Sequence, residues 1–196
     1  MNDFGLYFGI GYKHIADLRG IDHILFVAAL CIRYQFSDWR KILVLVTAFT
    51  IGHSITLALS VFDIVQYSVK WIEFLIPVTI VITAISNIFV KKFVFKNKFP
   101  LIYFLALFFG LVHGLGFSSY LKSMLGTEQN VVWQLLAFNV GLEMGQLLIV
   151  TAILIISFIF VHMLKCNRRE YTLVASAGIF ALALQMAIDR LHPLLN

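Results

Sequence analysis

Long apolar runs, seldom interrupted by charge, dominate the chain. A water-soluble fold has nowhere to hide them, whereas a helix of ~20 apolar residues matches the ~30 Å hydrocarbon core of a bilayer. Six runs are legible: about 21–37, 41–61, 71–90, 100–120, 133–163 and 171–190. The first is slightly short. The fifth is too long for one upright crossing and too short for two, so it predicts a single tilted helix. The expectation is an all-α integral membrane protein, one domain over 1–196, built as a six-helix transmembrane bundle. Composition agrees: 61% of residues are hydrophobic and 13% charged, against ~45–50% and ~25% in soluble domains. The first twenty residues carry polar and charged groups throughout and do not read as a cleavable signal peptide.

The net charge of +5 does not indicate nucleic acid, because the basic residues sit in short connections between apolar runs. The connections after spans one, three and five hold Arg33, Arg40, Lys41, Lys91, Lys92, Lys96, Lys98, Lys165, Arg168 and Arg169. The opposite side holds only Lys13, Arg19, Lys70, Lys122 and Arg190. The positive-inside rule then puts both termini outside the cytoplasm. Cys31 and Cys166 form no CxxC pair, so neither a disulfide framework nor a thiolate metal site is expected.

An ionisable group at the bilayer centre costs ~2.5–3.5 kcal/mol, so such groups commonly mark function. His53 lies about eleven residues above the inner end of span two, and His113 about thirteen above that of span four. At ~1.5 Å per residue both sit ~16–20 Å from the inner face. Glu143, about ten residues below the outer end of span five, is expected at similar depth. Asp22 and His23 open span one at the outer side. His14, Glu73 and Asp189 fall near the same side and are weaker candidates, equally readable as solvated interface residues. His162 and His192 read as snorkelling or solvated side chains. The inner half offers hydroxyls and one amide: Thr47, Thr83, Ser86, Asn87 and Ser157.

His23, His53, His113, Asp22 and Glu143 therefore form the candidate ligand set. Imidazole and carboxylate together suit nickel, zinc, cobalt, iron or copper(II). Adjacent helical residues point about 100° apart, so Asp22 and His23 need not both bind; one can orient the other. Asn139 and Gln146 share a helix face with Glu143, and Thr50 and Thr56 flank His53, as candidates for the outer hydrogen bonds that metal-bound histidines require. The alternative for a single intramembrane histidine is a helix-to-helix hydrogen bond worth ~0.6 kcal/mol. Gly110/Gly114 and Gly141/Gly145 have the GxxxG spacing that lets helices approach closely, which predicts another helix packed on span four beside His113.

Five ordered motifs carry a resemblance: "GIDHILF" (20–26), "TAFTIGHSITLAL" (47–59), "EFLIPVTIVITAISN" (73–87), "FGLVHGLGFSSYL" (109–121) and "AFNVGLEMGQ" (137–146). Together they resemble the HupE/UreJ family, small membrane proteins associated with hydrogenase and urease accessory functions. The likeness is to the branch with an AHS-type motif in its second span, Gly52 standing where alanine is common. The resemblance implies functional roles for Asp22, His23, His53, Glu73, Asn87, His113, Glu143 and Gln146. His14 looks like the family's upstream histidine, at a longer spacing within "HIADLRGIDH". It also implies a bacterial inner membrane and transport of a divalent metal, nickel foremost. The competing expectation is a membrane-embedded zinc-type hydrolase open to the outer side, with Glu143 as general base. A metal-free structural or partner-binding protein is the third.

Overall fold

The structure, a computed structural model, describes residues 3–17, 20–90, 101–125 and 131–195. Among these every regular element is helical: α1 (Asp3–Ala16), α2 (Ile21–Cys31), α3 (Trp39–Val61), α4 (Val69–Phe89), α5 (Leu101–Leu125), α6 (Val131–Phe158) and α7 (Arg168–Leu195). Arg19, Lys91, Lys92, Lys96 and Lys98, used above for orientation, lie outside the described residues. Five stretches among the described residues are long and apolar enough to cross a membrane: Phe36–Val61, Val69–Phe89, Leu101–Met124, Val131–Met163 and Arg168–Leu195. The fifth expected span is indeed one continuous element, α6 running on through a π-helical turn at Ile159–Met163.

The first expected span is corrected. Its helix stops at Cys31, and 11 residues rise only about 16 Å, half of a hydrocarbon core. The reason is local. Gln35 and Asp38 form a reciprocal capping box that starts a 3-10 turn over Phe36–Asp38 and leads directly into α3. The chain therefore turns where hydropathy alone would continue. A second difference is α1, a 14-residue helix that lies outside the six apolar runs.

Close backbone contacts fix the packing. A Cβ on Gly110 would strike the Phe49 carbonyl, one on Gly114 the His53 carbonyl, and one on Gly52 the Leu107 carbonyl. The numbers rise together, so α3 and α5 run parallel, as two spans of the same direction should. Gly141 and Gly145 instead receive α1: a Cβ there would strike Phe8 O and the Ile15 side chain. The second glycine pair thus serves the helix that was not expected.

α7 runs antiparallel to α4. Arg169 donates to the Asn87 and Ile88 carbonyls at one end, and Arg190 to the Glu73 carbonyl at the other (2.9 Å). That last bond has a cause in sequence. Pro77 lies inside α4 and has no N–H for the carbonyl four residues before it. Arg190 supplies the missing donor. Asn87 Nδ2 holds α2 to α4 through the Ala29 carbonyl (2.6 Å), and Arg168 caps Arg33 O (2.7 Å). One end of the bundle thus gathers Arg33, Arg168 and Arg169, and the other Asp22, Glu73 and Arg190. Phe26, Phe49, Leu57, Ile80, Phe138 and Leu142 fill the interior. Ile51, Ile55, Leu75, Phe104, Leu148 and Ile188 face outward, as a lipid-exposed surface requires.

Candidate metal centre

Three helices that begin or pass near the Asp22 end each send an imidazole inward. His14 comes from the last turn of α1, His23 from the first turn of α2 and His53 from the middle of α3. One ring nitrogen from each lies within 4.8 Å of the others. A shared ion at ~2.1 Å from each nitrogen needs donors about 3.4 Å apart, a small inward rotation from this geometry. His113 of α5 stands beside the group, its ring centroid 5.3 Å from that of His23.

The surroundings are aromatic. Phe117 lies against His14, with centroids 3.7 Å apart, and Phe138 stacks near His53 at 6.2 Å. Phe26 and Phe49 flank His113 at 4.9 and 5.3 Å. His53 and His113 are fully buried. Yet among the described residues His14 Nε2, His23 Nε2, His113 Nδ1 and both nitrogens of His53 are enclosed without a hydrogen-bond partner. Each unsatisfied buried polar atom costs ~1–3 kcal/mol. One nitrogen each of His14, His23 and His53 lies within 4.8 Å of the others, and a ligand that accepts lone pairs, as a metal cation does, would satisfy them.

Two of the imidazoles have their tautomer set. Asp22 Oδ1 faces His23 Nδ1 at 3.0 Å and also accepts the His23 backbone N–H. A carboxylate only accepts, so Nδ1 carries the proton and Nε2 offers its lone pair to the cluster. Arg190 Nη2 donates to Asp22 Oδ2 at 3.1 Å and keeps that carboxylate in place. On the far side Thr79 Oγ1 donates to Ile76 O at 2.7 Å and meets His113 Nε2 at 3.1 Å. With its proton committed to the carbonyl, Thr79 accepts from Nε2–H and leaves His113 Nδ1 as the free lone pair. Pairing of a histidine with an outer oxygen is the usual accompaniment of metal ligation.

An open cavity of about 340 Å³ reaches the cluster. Its walls include His14, Asp22, His23 and His113, then Glu73 and Arg190 toward exposed surface. The remaining candidates are distributed elsewhere. Glu143 accepts from Thr47 Oγ1 at 2.9 Å, and Thr47 precedes His53 by six residues, about 9 Å along α3. Gln146 accepts from Thr50 at 2.7 Å. Thr56 bonds back to its own helix at Gly52 O and His53 O. Asn87 clamps α2, Asn139 is half-buried, and Asp189 is exposed. Arg190 and Thr79 were not foreseen from sequence. The available signal was Pro77, which frees a carbonyl that must find a donor.

The model of the family described as "HupE / UreJ protein" matches residues 1–190, nearly the whole chain. No curated protein and no solved structure matches.

Proposed function

We propose that this chain, which belongs to the HupE/UreJ family, moves a divalent transition-metal ion across a membrane. The observation that carries the reading is the convergence of His14, His23 and His53 within 4.8 Å, with unpartnered nitrogens at the end of an open cavity. Neutral imidazoles suit nickel, zinc, cobalt, iron or copper(II), and the family favours nickel. The Asp22 end faces outside the cytoplasm in this reading, both termini with it. Support for that orientation is the excess of basic residues at the Arg33 end. The ion enters past Glu73 and Arg190, exchanges water for imidazole, and is released inward when the helices rearrange about the same site.

The test is uptake. Proteoliposomes holding the wild-type chain should accumulate labelled nickel or cobalt, and His23→Ala and His53→Ala should not. Wild-type vesicles that bind the ion without accumulating it refute transport.

One observation favours a second reading, a zinc-type hydrolase: an open cavity lined by His14, His23, His113 and Glu73 could admit a substrate to the imidazoles. The expected general base, Glu143, is then poorly placed, whereas Glu73 lines the cavity. Stoichiometric, tightly held zinc with no flux would select this reading.

A further inference from the structure

The transport reading asks where an ion goes after the histidines. His53 is fully enclosed, and both of its ring nitrogens lack partners among the described residues. A neutral imidazole binding an ion through one nitrogen still has a second nitrogen that seeks a polar neighbour. The polar neighbours lie on one seam. One turn before His53 on α3, Thr50 donates to Gln146 of α6 at 2.7 Å. One further turn down, Thr47 donates to Glu143 at 2.9 Å. The α3–α6 interface thus carries a strip of His53, Thr50 with Gln146, and Thr47 with Glu143. It leads toward the Arg33 end through otherwise apolar packing that includes Leu45, Val46 and Leu142.

Glu143 is the unusual member. A hydroxyl–amide pair such as Thr50–Gln146 is sufficient to fasten two helices in lipid, at ~0.6 kcal/mol. Fastening needs no charge, and a carboxylate at this depth costs ~2.5–3.5 kcal/mol. Among the described residues Glu143 makes no ion pair; its bond is to one hydroxyl. A cation is the complement such a group lacks.

We infer that Glu143 and Thr47, with Gln146 on the turn between them and His53, form a second, oxygen-lined cation station about 5–9 Å inward of His53 along α3. The inference rests on the metal reading of the histidine cluster for the identity of its cargo. Oxygen donors hold a divalent ion more weakly than imidazole and leave it part of its water. A weak station beside a tight one gives a captured ion a place to move on to. Beyond it, Val150 and Leu154 continue the α6 seam at four-residue steps from Gln146 and are buried. They close the way to a cavity of about 190 Å³ at the Arg168 end, whose wall includes Leu154 and Ser157.

The test is titration of the full-length chain in lipid nanodiscs with cobalt(II) alone. Cobalt separates the two sites, because four-coordinate nitrogen ligation absorbs strongly in the visible and six-coordinate oxygen ligation weakly. Wild-type protein should bind two classes of ion. Glu143→Gln and Thr47→Val should each weaken the oxygen class by at least about tenfold and leave the nitrogen class within about twofold. His23→Ala should do the reverse. Two variants are used so that a folding failure of one does not decide the matter, and size-exclusion profiles report folding. A single class in the wild type, an oxygen class unmoved by both variants, or loss of the nitrogen class in Glu143→Gln overturns the inference. Two classes without accumulation in vesicles would sink transport and leave the station standing.

Discussion

Replacing Asp22 with asparagine tests how the cluster is prepared for an ion. The substitution keeps the shape and removes one acceptor. In the native chain Asp22 Oδ1 takes the His23 backbone N–H and ring N–H, both at 3.0 Å, while Oδ2 takes Arg190 at 3.1 Å. Asparagine has one oxygen where the carboxylate has two. If that oxygen faces His23, the amide NH2 opposes the Arg190 guanidinium, donor against donor. If the amide is turned over, its NH2 donates to His23 Nδ1. The ring proton then moves to Nε2, the nitrogen without a partner among the described residues, and the lone pair is lost to the site. Either way a hydrogen bond to a charged group disappears, worth ~1.5–3 kcal/mol. Loss of an outer partner of a metal-bound histidine costs about 10–100-fold in affinity, or ~1.4–2.8 kcal/mol. The two ranges meet, so Asp22→Asn should bind cobalt about 30-fold more weakly than wild type. The assay is competition against a chromophoric chelator in nanodiscs, with His23→Ala as the reference for full loss. Arg190→Leu should fall between wild type and Asp22→Asn, with Arg190→Lys recovering part of the difference. An Asp22→Asn affinity within about twofold of wild type would refute the tautomer argument, since it would mean that His23 needs no orienting partner.

The other expectations are independent of that one. His14→Ala removes a candidate ligand and should cost at least about 100-fold in cobalt affinity, with the nitrogen-type visible band lost; a preserved band would remove α1 from the site. Gly114→Val places side-chain carbon against the His53 carbonyl and Thr56, and should lower Tm by about 5–10 °C with loss of metal binding. Gly178, where an added Cβ meets nothing within 4 Å, is the matched control, and Gly178→Ala should be neutral or stabilising. For orientation, Cys166 is exposed and Cys31 buried. A membrane-impermeant maleimide should therefore label Cys166 in inverted vesicles and not in intact cells; the opposite pattern reverses the proposed sidedness.

Five of the long helices were legible because bilayer thickness imposes a length that hydropathy can measure. α2 was misjudged in extent for a local reason: the apolar run continues past Cys31, but the Gln35–Asp38 capping box starts a new turn. α1 escaped notice because its 14 residues, with Gly5, Gly9, Gly11 and a late Lys13–His14 pair, are too few and too interrupted to read as a span. Its helix is held by burial against α6, where Gly11 meets the Phe138 carbonyl and Gly141 meets Phe8. Packing there overrides weak propensity, and it brings His14 into the cluster. Glu143 illustrates another limit. Counting residues from a helix end gives height on an upright cylinder. α6 runs 33 residues with its π-helical turn, longer than an upright crossing needs, so a count from its end does not give depth. Counting also says nothing about which way a side chain points, and Glu143 meets Thr47 in place of the imidazoles.

The glycine pattern shows what spacing can and cannot decide. GxxxG on α5 does announce a close neighbour, and α3 lies there, with His53 O against Gly114. The same pattern on α6 announces a neighbour equally well, yet the neighbour is α1. Small residues specify that a backbone approaches, never whose. Polar bookkeeping goes further, because a freed backbone group in an apolar interior must be answered. Pro77 leaves the Glu73 carbonyl without its helical donor. The answering group has to be a long donor at the same end of the bundle, and Arg190 is that group. Once there, its second nitrogen reaches Asp22, and Asp22 in turn sets His23. A backbone defect in α4 thus becomes, through one guanidinium, part of the preparation of an imidazole on α2.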